Sequence, residues 1–131
     1  MGTQAEGSFT VDSWEPEVVD ERPGATLARV RLTKTFEGAL TGTSTVEMLS
    51  AADGDGQPAA YTAFERFTGE LDGRKGSFVL QHSAPGSGGE RLAVRVVPGT
   101  GTDGLAGITG RFDIRIDDAG VHTYVFEHEL G

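Results

Sequence analysis

The amino-acid sequence predicts an all-β protein, a single domain over residues 1–131 that forms an eight-stranded antiparallel up-and-down β-barrel. Short runs of alternating apolar and polar residues recur along the chain, as expected for half-buried strands. The 20 glycines lie between these runs without a collagen-like period, which indicates many tight turns. The nearest helix candidate, Glu15–Arg22, is weakened by Pro16 and by the adjacent Val18 and Val19.

A meander of eight strands removes its two exposed edges when its first strand pairs with its last. At eight strands, the interior of a barrel is just wide enough to be filled by side chains or to hold one small ligand. An open two-sheet sandwich is the alternative that the same strand pattern permits.

The first three strands are separated by one long loop and one short turn. Ser8–Glu15 is the first strand, and Glu17–Gly24 is expected to be a loop. Ala25–Phe36 is the second strand, Gly38–Gly42 turns the chain, and Thr43–Leu49 is the third. One phase of the second strand is predominantly apolar and is predicted to face the core. It consists of Ala28, Val30, Leu32, Lys34 and Phe36.

The centre of the chain is predicted to be a β-hairpin. Tyr61–His82 contains two runs of aromatic and β-branched residues around a reversal rich in Gly and Asp, which supplies the fourth and fifth strands. Ala51–Pro58 is a polar loop before the hairpin, and Pro85–Gly89 is a flexible loop after it.

Three further strands complete the barrel. Arg91–Val97 is the sixth strand, and the Gly-rich connection Pro98–Gly107 follows it. Arg111–Ile116 alternates most regularly and is the seventh. Asp117–Gly120 reverses the chain into the eighth strand, Val121–Leu130.

A short internal sequence repeat, which we call the glycine echo, supports the meander. Phe36–Gly42 and Phe67–Gly73 share the pattern F-x-G-x-L-x-G, and Leu105–Gly110 is a weaker third copy. Because glycine in or beside a strand marks a bulge or a sharp bend, we interpret the echo as repeated corner geometry.

Composition and charge exclude several classes of function. The net charge of −9 disfavours nucleic acids and anionic membranes as partners, since both are bound through Lys and Arg. With no cysteine, there is no disulfide framework, thiolate nucleophile or Cys-based metal site. Met1–Glu6 lacks the basic and apolar regions of a signal peptide, and no apolar run reaches the roughly 20 residues of a membrane span. A cytoplasmic location is therefore expected.

No motif indicates a metal ion or another cofactor. His122 and His128 are separated along one strand by about 20 Å and cannot share an ion. Asp53–Gly56 resembles the start of an EF-hand loop, but Phe64 stands where the final glutamate is required. Gly99–Gly110 lacks the lysine and the following helix of a phosphate-binding loop. We therefore expect no metal and no cofactor.

Side-chain alternation predicts which residues point into the barrel. The polar members of the inward phases are the candidate site residues: Lys34, Tyr61, Glu65, His82, His122 and Tyr124. The predicted apolar interior comprises Phe9, Val11, Val30, Leu32, Phe36, Val46, Met48, Ala63, Phe67, Phe78, Leu80, Val94, Val96, Phe112, Ile114 and Phe126.

Glu65 has two possible roles. Between Ala63 and Phe67 its carboxylate loses solvation, which raises the pKa unless a cation or hydrogen-bond donors compensate. Such a group can act as a general acid or base, or it can form a structural ion pair, with Lys34 as the candidate partner.

The two histidines and the tyrosine also allow two interpretations each. His82 is expected at a barrel mouth, where it can exchange protons near neutral pH or bond a carbonyl at a strand end. His122 and Tyr124 share one face and can present a ring nitrogen and a hydroxyl to a ligand. A buried tyrosine also commonly finds a partner within the protein.

Several blocks of the chain match a known pattern: Gly7–Trp14, Phe64–Gly69, Leu71–His82, Gly99–Gly110 and His122–Tyr124. In this order and spacing, they resemble a bacterial family of uncharacterised proteins, the DUF3224 family. The resemblance implies a barrel similar to that of plant allene oxide cyclase, and no established activity. Related barrels include cofactor-free cyclases of unsaturated natural products, and Gly104–Gly110 looks like a turn found in some of them.

Three hypotheses about function follow. In the first, the lumen binds a small apolar or unsaturated molecule through Lys34, Tyr61, Phe67, Phe78, His122 and Tyr124. In the second, the protein is a cofactor-independent cyclase or isomerase in which Glu65, with His82 or Tyr124, manages protons. In the third, the interior is packed and the protein works through its surface, with Phe64 and Val97 as contacts of a possible homodimer.

Overall fold

The computed structural model describes residues 2–84 and 92–130. Eight antiparallel strands close into one barrel in chain order, and β1 pairs with β8 over Thr3–Phe9 and His122–His128. The predicted fold class is confirmed, and the open sandwich is wrong. The strands are β1 Thr3–Arg22, β2 Ala25–Gly38, β3 Leu40–Asp53, β4 Pro58–Leu71, β5 Arg74–Ala84, β6 Ala93–Val96, β7 Thr109–Ile116 and β8 His122–Glu129.

The predicted loop Glu17–Gly24 is wrong, because β1 continues through Pro16 to Arg22 and pairs with β2 from Gly7 to Arg22. The physical reason lies on the other side of β1. Its pairing with β8 ends at Phe9, so the second half of β1 has β2 as its only strand partner among the described residues. A proline is tolerated on such an edge, since its missing N–H is not needed there.

Other boundaries differ by a few residues. β3 begins at Leu40, so the predicted turn Gly38–Gly42 shrinks to the single residue Ala39 between two strands. The connection between β6 and β7 contains a short 3-10 helix at Asp103–Leu105. The predicted flexible loop Pro85–Gly89 lies outside the described residues. Within the part of the chain that the structure describes, there is no helix that could serve as a membrane span.

The glycine echo marks positions where backbones meet closely. Gly42 on β3 lies directly opposite Gly69 on β4, and a Cβ on either would overlap a carbonyl oxygen of the neighbouring strand. The leucines of the echo, Leu40, Leu71 and Leu105, are all fully buried. The repeated pattern therefore packs one end of the barrel, as corner geometry requires.

One half of the lumen is filled by aromatic rings. Phe36 packs edge-on against Phe67 with ring centroids 5.4 Å apart, and Phe67 contacts Phe78 at 5.2 Å. Phe78 stacks on Phe126, which in turn stacks on Phe112 at 4.2 Å. These contacts close one end of the barrel, which we call the packed half.

A second, smaller apolar cluster lines the other half of the lumen. It consists of Val30, Leu32, Val46 and Ala63, with Met48 and Tyr61 packed against it. These side chains are too small to meet across the barrel, so this half, which we call the open half, retains a cavity. Of the predicted interior residues, Val11 is 39% exposed and Met48 and Ile114 are half-buried, because all three lie in the open half.

Candidate functional site

The open half contains a cavity of about 510 Å³ that opens at the barrel mouth. Its size is within the usual range of small-molecule sites, roughly 300–1,000 Å³. The walls are predominantly apolar, and polar side chains are confined to a few positions. Five of the candidate residues lie here or directly beneath: Lys34, Tyr61, His82 and His122 on the lining, and Glu65 below it.

Trp14 also lines the cavity, and its position depends on a β-bulge. The register between β1 and β2 shifts between Val11 and Ser13, so Trp14 pairs with Leu32 and shares its inward phase. A bulge of this kind re-aims the side chains that follow it. Trp14 is 57% exposed and forms part of the mouth, a role that strict alternation along β1 does not predict.

A buried polar cluster separates the open half from the packed half. Glu65 on β4 is at its centre, with its side chain 1% exposed. Its Oε1 accepts from Nε2 of His82 at 2.7 Å and from Nζ of Lys34 at 3.2 Å. Its Oε2 accepts from Oγ of Ser44 at 2.5 Å. The ion pair predicted between Glu65 and Lys34 is present, and His82 is its third member.

These contacts determine the charge state of Glu65. Burial by itself raises the pKa of this carboxyl above its ordinary value of 4.5, but the opposing effects are larger in sum. The hydrogen bond from His82, the positive charge of Lys34 and the bond from Ser44 lower the pKa of Glu65 to about 2. Glu65 is therefore a permanent carboxylate near neutral pH, with little tendency to accept a proton.

Two partners of Glu65, Lys34 and His82, line the cavity, whereas Glu65 and Ser44 do not. Lys34 Nζ lies 4.5 Å from the centroid of the Phe9 ring, a cation–π contact that holds the ammonium at the cavity floor. The imidazole of His122 stacks on the same Phe9 ring, with the two ring centroids 4.9 Å apart. His82 is buried and forms the remaining polar part of the floor, so its predicted position at the barrel mouth is wrong.

Tyr61 lies on the cavity wall, two positions before Ala63 on the inward face of β4. Burial raises the pKa of its phenol, and the negative charge of Glu65 raises it further. The Tyr61 side chain is therefore a neutral hydroxyl near neutral pH, able to donate a hydrogen bond to a molecule in the cavity.

Tyr124 is placed elsewhere, in the packed half. Its hydroxyl accepts from the backbone N–H of Leu40 at 2.9 Å and donates to the carbonyl of Glu37 at 3.0 Å. Gly7 makes room for this ring, since a Cβ there would overlap the hydroxyl. Tyr124 thus ties β8 to the β2–β3 corner. Phe67 and Phe78 also lie in the packed half, so the structure brings none of these three to the cavity.

The sequence reasoning left out two residues of this site. Ser44 shares the inward phase of Val46 and Met48 on β3, so alternation could have placed it beside Glu65. Trp14 could not be placed in this way, because the bulge that re-aims it has no clear sequence signal.

The outer surface carries the predicted dimer contacts. Phe64 is 53% exposed on the outside of β4, and Val97 is half-buried. Whether two copies associate through them stays a prediction, as does the cytoplasmic location.

The fold and the site together define a closed eight-stranded antiparallel barrel with one packed half, one open half and a buried ionic cluster between them. Residues 5–128 match a family described as a protein of unknown function (DUF3224), and the chain belongs to this family. It is also similar to a crystal structure of a DUF3224 protein of unknown function from Shewanella oneidensis MR-1. That similarity has a TM-score of 0.88 and 38% identity, covering 100% of this chain and 98% of the other. No curated protein matches the chain.

Proposed function

We propose that the protein binds a small, predominantly apolar molecule in the open half of the barrel. The supporting observation is the cavity of about 510 Å³, which reaches the mouth and has apolar walls above a polar floor. Apolar walls provide affinity through the area removed from water, and a few fixed polar groups provide orientation. The packed half and the ionic cluster hold the floor rigid, so binding requires little rearrangement.

The first test uses a reporter that the site already contains. Trp14 is the only tryptophan, and it lines the mouth. A molecule that enters the cavity removes water from this indole, so its emission is expected to shift to shorter wavelength as a library of small apolar compounds is titrated. Native mass spectrometry of protein taken directly from cells provides the complementary measurement, a retained small molecule.

A pair of tryptophan substitutions distinguishes the cavity from the surface. Met48 lines the cavity, whereas Leu49 is exposed on the outside of the same strand. Met48→Trp fills the open half and is expected to abolish binding measured by native mass spectrometry, whereas Leu49→Trp leaves binding intact. If both variants bind like the wild-type protein, the ligand does not occupy this cavity and the proposal is wrong.

A second candidate function, proton transfer by a cofactor-independent isomerase or cyclase, is favoured by one observation. Glu65 lies 2.7 Å from Nε2 of His82, and His82 faces the cavity. When Nε2 carries the proton donated to Glu65, Nδ1 is left with a lone pair that can accept a proton from a bound molecule. Glu65 would then orient His82 and stabilise the imidazolium, and Tyr124 would take no part.

Deuterium exchange tests this second function without knowledge of the natural substrate. Unsaturated ketones that bind in the fluorescence assay are incubated in D₂O, and deuterium next to the carbonyl is followed by NMR. His82→Gln is expected to abolish exchange, and Tyr124→Phe to retain it. Absence of exchange in the wild-type protein with every bound ketone would leave simple binding as the function.

A further inference from the structure

The groups that line the cavity differ in chemical character from this acidic chain as a whole, and the proposed function does not draw on that difference. The chain carries 20 acidic residues and a net charge of −9, yet no Asp or Glu is among the described residues that line the cavity. Among the described lining residues, the ionisable groups apart from the Tyr61 phenol are one ammonium and two imidazoles: Lys34, His82 and His122. In this acidic protein, the described walls of the cavity thus carry nitrogen groups and no carboxylates.

Lys34 retains hydrogen-bonding capacity toward the cavity. Its ammonium has three N–H groups, and the 3.2 Å contact with Glu65 uses one. Contact with the Phe9 ring fixes its position but does not provide an oxygen acceptor. Of the three groups that bind Glu65, Lys34 is the most distant, and it lies on the cavity side of the carboxylate. Its remaining N–H groups lack an oxygen partner among the described residues.

The two histidines of the cavity also have ring nitrogens that lack a hydrogen-bond partner among the described residues. Nε2 of His82 bonds to Glu65, and no described residue bonds to its Nδ1. His122 makes a ring contact with Phe9, and neither of its nitrogens has a hydrogen-bond partner in the described part of the chain. Three nitrogen-bearing groups without full partners therefore converge on one end of an apolar cavity.

We propose that the ligand is an apolar carboxylic acid that binds with its carboxylate at the floor, on Lys34, and its hydrocarbon part toward Trp14 at the mouth. This inference rests on the proposed function and specifies its ligand class. The ammonium separates the ligand carboxylate from Glu65, and the apolar walls strengthen the charge-assisted hydrogen bond by excluding water. A basic or hydrocarbon end would leave the remaining N–H groups of the Lys34 ammonium without an oxygen acceptor in an apolar site.

The spacing of two residues on the cavity wall guides the choice of chain length for a probe. Lys34 and Val30 lie on the same face of β2, about 13 Å apart at roughly 3.3 Å per residue. Consecutive Cα atoms, which three bonds join, lie about 3.8 Å apart, so an extended chain advances roughly 1.3 Å per bond and this distance corresponds to a linear chain of about ten carbon atoms. Decanoate is therefore a suitable probe.

The test compares three probes of equal length: decanoate, 1-decanol and decylamine. Dissociation constants are measured by the Trp14 emission shift and by native mass spectrometry. Decanoate is expected to bind at least about ten-fold more tightly than 1-decanol, and decylamine more weakly still. Equal affinity for decanoate and 1-decanol overturns this inference but leaves the proposed function intact. Failure of all three to bind overturns the inference as well, and a cavity that also accepts no other apolar compound overturns the proposed function.

Two variants test the assignment to Lys34. Lys34→Met removes the ammonium but leaves Glu65 buried without its cation, and this protein is at risk of not folding. The double variant with Lys34→Met and Glu65→Gln removes both charges and keeps the barrel interior neutral. Its preference for decanoate over 1-decanol is expected to disappear while 1-decanol still binds. A preference of about ten-fold retained in the double variant would show that Lys34 does not hold the carboxylate.

Discussion

Glu65 on β4 and His82 on β5 are diagonal neighbours inside the barrel, joined by the 2.7 Å contact between Oε1 and Nε2. The residue directly opposite His82 is Ala63, and the small size of Ala63 lets the imidazole reach across to the carboxylate. Diagonal pairs of this kind meet only when the strand register is correct. A slip of one residue would turn one of the two side chains outward, so the pair and the barrel register depend on each other.

Removing the carboxylate of Glu65 is expected to destabilise the protein. Glu65→Gln leaves the buried ammonium of Lys34 without its counter-charge, and loss of one member of a buried pair costs about 3 kcal/mol. Chemical denaturation measures the change in the free energy of unfolding. The control is Glu47→Gln, which breaks the exposed pair with Arg31 on the neighbouring strands and should cost less than about 1 kcal/mol. Equal costs for both variants would contradict the assignment of Glu65 as the centre of a desolvated cluster.

The low pKa of Glu65 also predicts how stability changes in acid. In the unfolded chain this carboxyl titrates near 4.5, and in the folded protein near 2. Below pH 4.5 the unfolded state binds the proton first, so the stabilisation is complete above pH 4.5 and is lost as pH falls toward 2. The shift corresponds to roughly 3 kcal/mol. Unfolding free energies measured between pH 6 and pH 2 should therefore fall more steeply for the wild-type protein than for Glu65→Gln.

His128 is predicted to weaken the fold under mildly acidic conditions. Its ring is buried against Phe126, and neither nitrogen has a hydrogen-bond partner among the described residues. Burial lowers the pKa of His128 below its ordinary value of 6.5, and Asp72 opposes this only in part. The unfolded chain therefore takes up the proton first, and stability is lost as pH falls below 6.5 through the folded-state pKa.

The variant that checks this prediction is His128→Phe, which keeps a ring but removes both nitrogens. It should be at least as stable as the wild-type protein at pH 8, because two unsatisfied polar atoms are gone. Its advantage should increase at pH 5.5. Thermal unfolding at both pH values gives the comparison, and parallel losses of stability in the two proteins would rule out His128 as the titrating group.

Tyr124 is predicted to stabilise the fold and not to affect binding. Tyr124→Phe removes the hydrogen bonds to Leu40 and Glu37 and leaves a buried N–H without its acceptor, a cost of about 1–3 kcal/mol. Ligand affinity should be unchanged, since Tyr124 does not line the cavity.

Tyr61→Phe is the reciprocal variant. The hydroxyl of Tyr61 has no hydrogen-bond partner among the described residues, so stability should change little when it is removed, and any effect should appear in binding. The opposite pattern would contradict the placement of the two tyrosines.

Alternation along the strands was sufficient to predict much of this arrangement. It placed Glu65, Lys34 and His82 inside the barrel, because a strand with period two leaves each side chain only two directions. Such reasoning assumes uninterrupted strands, and it fails at the bulge between Val11 and Ser13, where Trp14 changes face. It also missed the continuation of β1 past Pro16, since nothing local shows that this part of the strand lies at an edge.

By itself, the sequence determined the strand number, the antiparallel class and most of the inward polar side chains, all of which follow from local alternation and turn chemistry. Only the tertiary structure decided which half of the lumen is open. That outcome depends on which side chains meet across the barrel: Phe36, Phe67 and Phe126 belong to one packed cluster, whereas Val30, Val46 and Ala63 leave a gap. Strand stagger sets which side chains share one level of a barrel, and stagger is a property of the closed sheet.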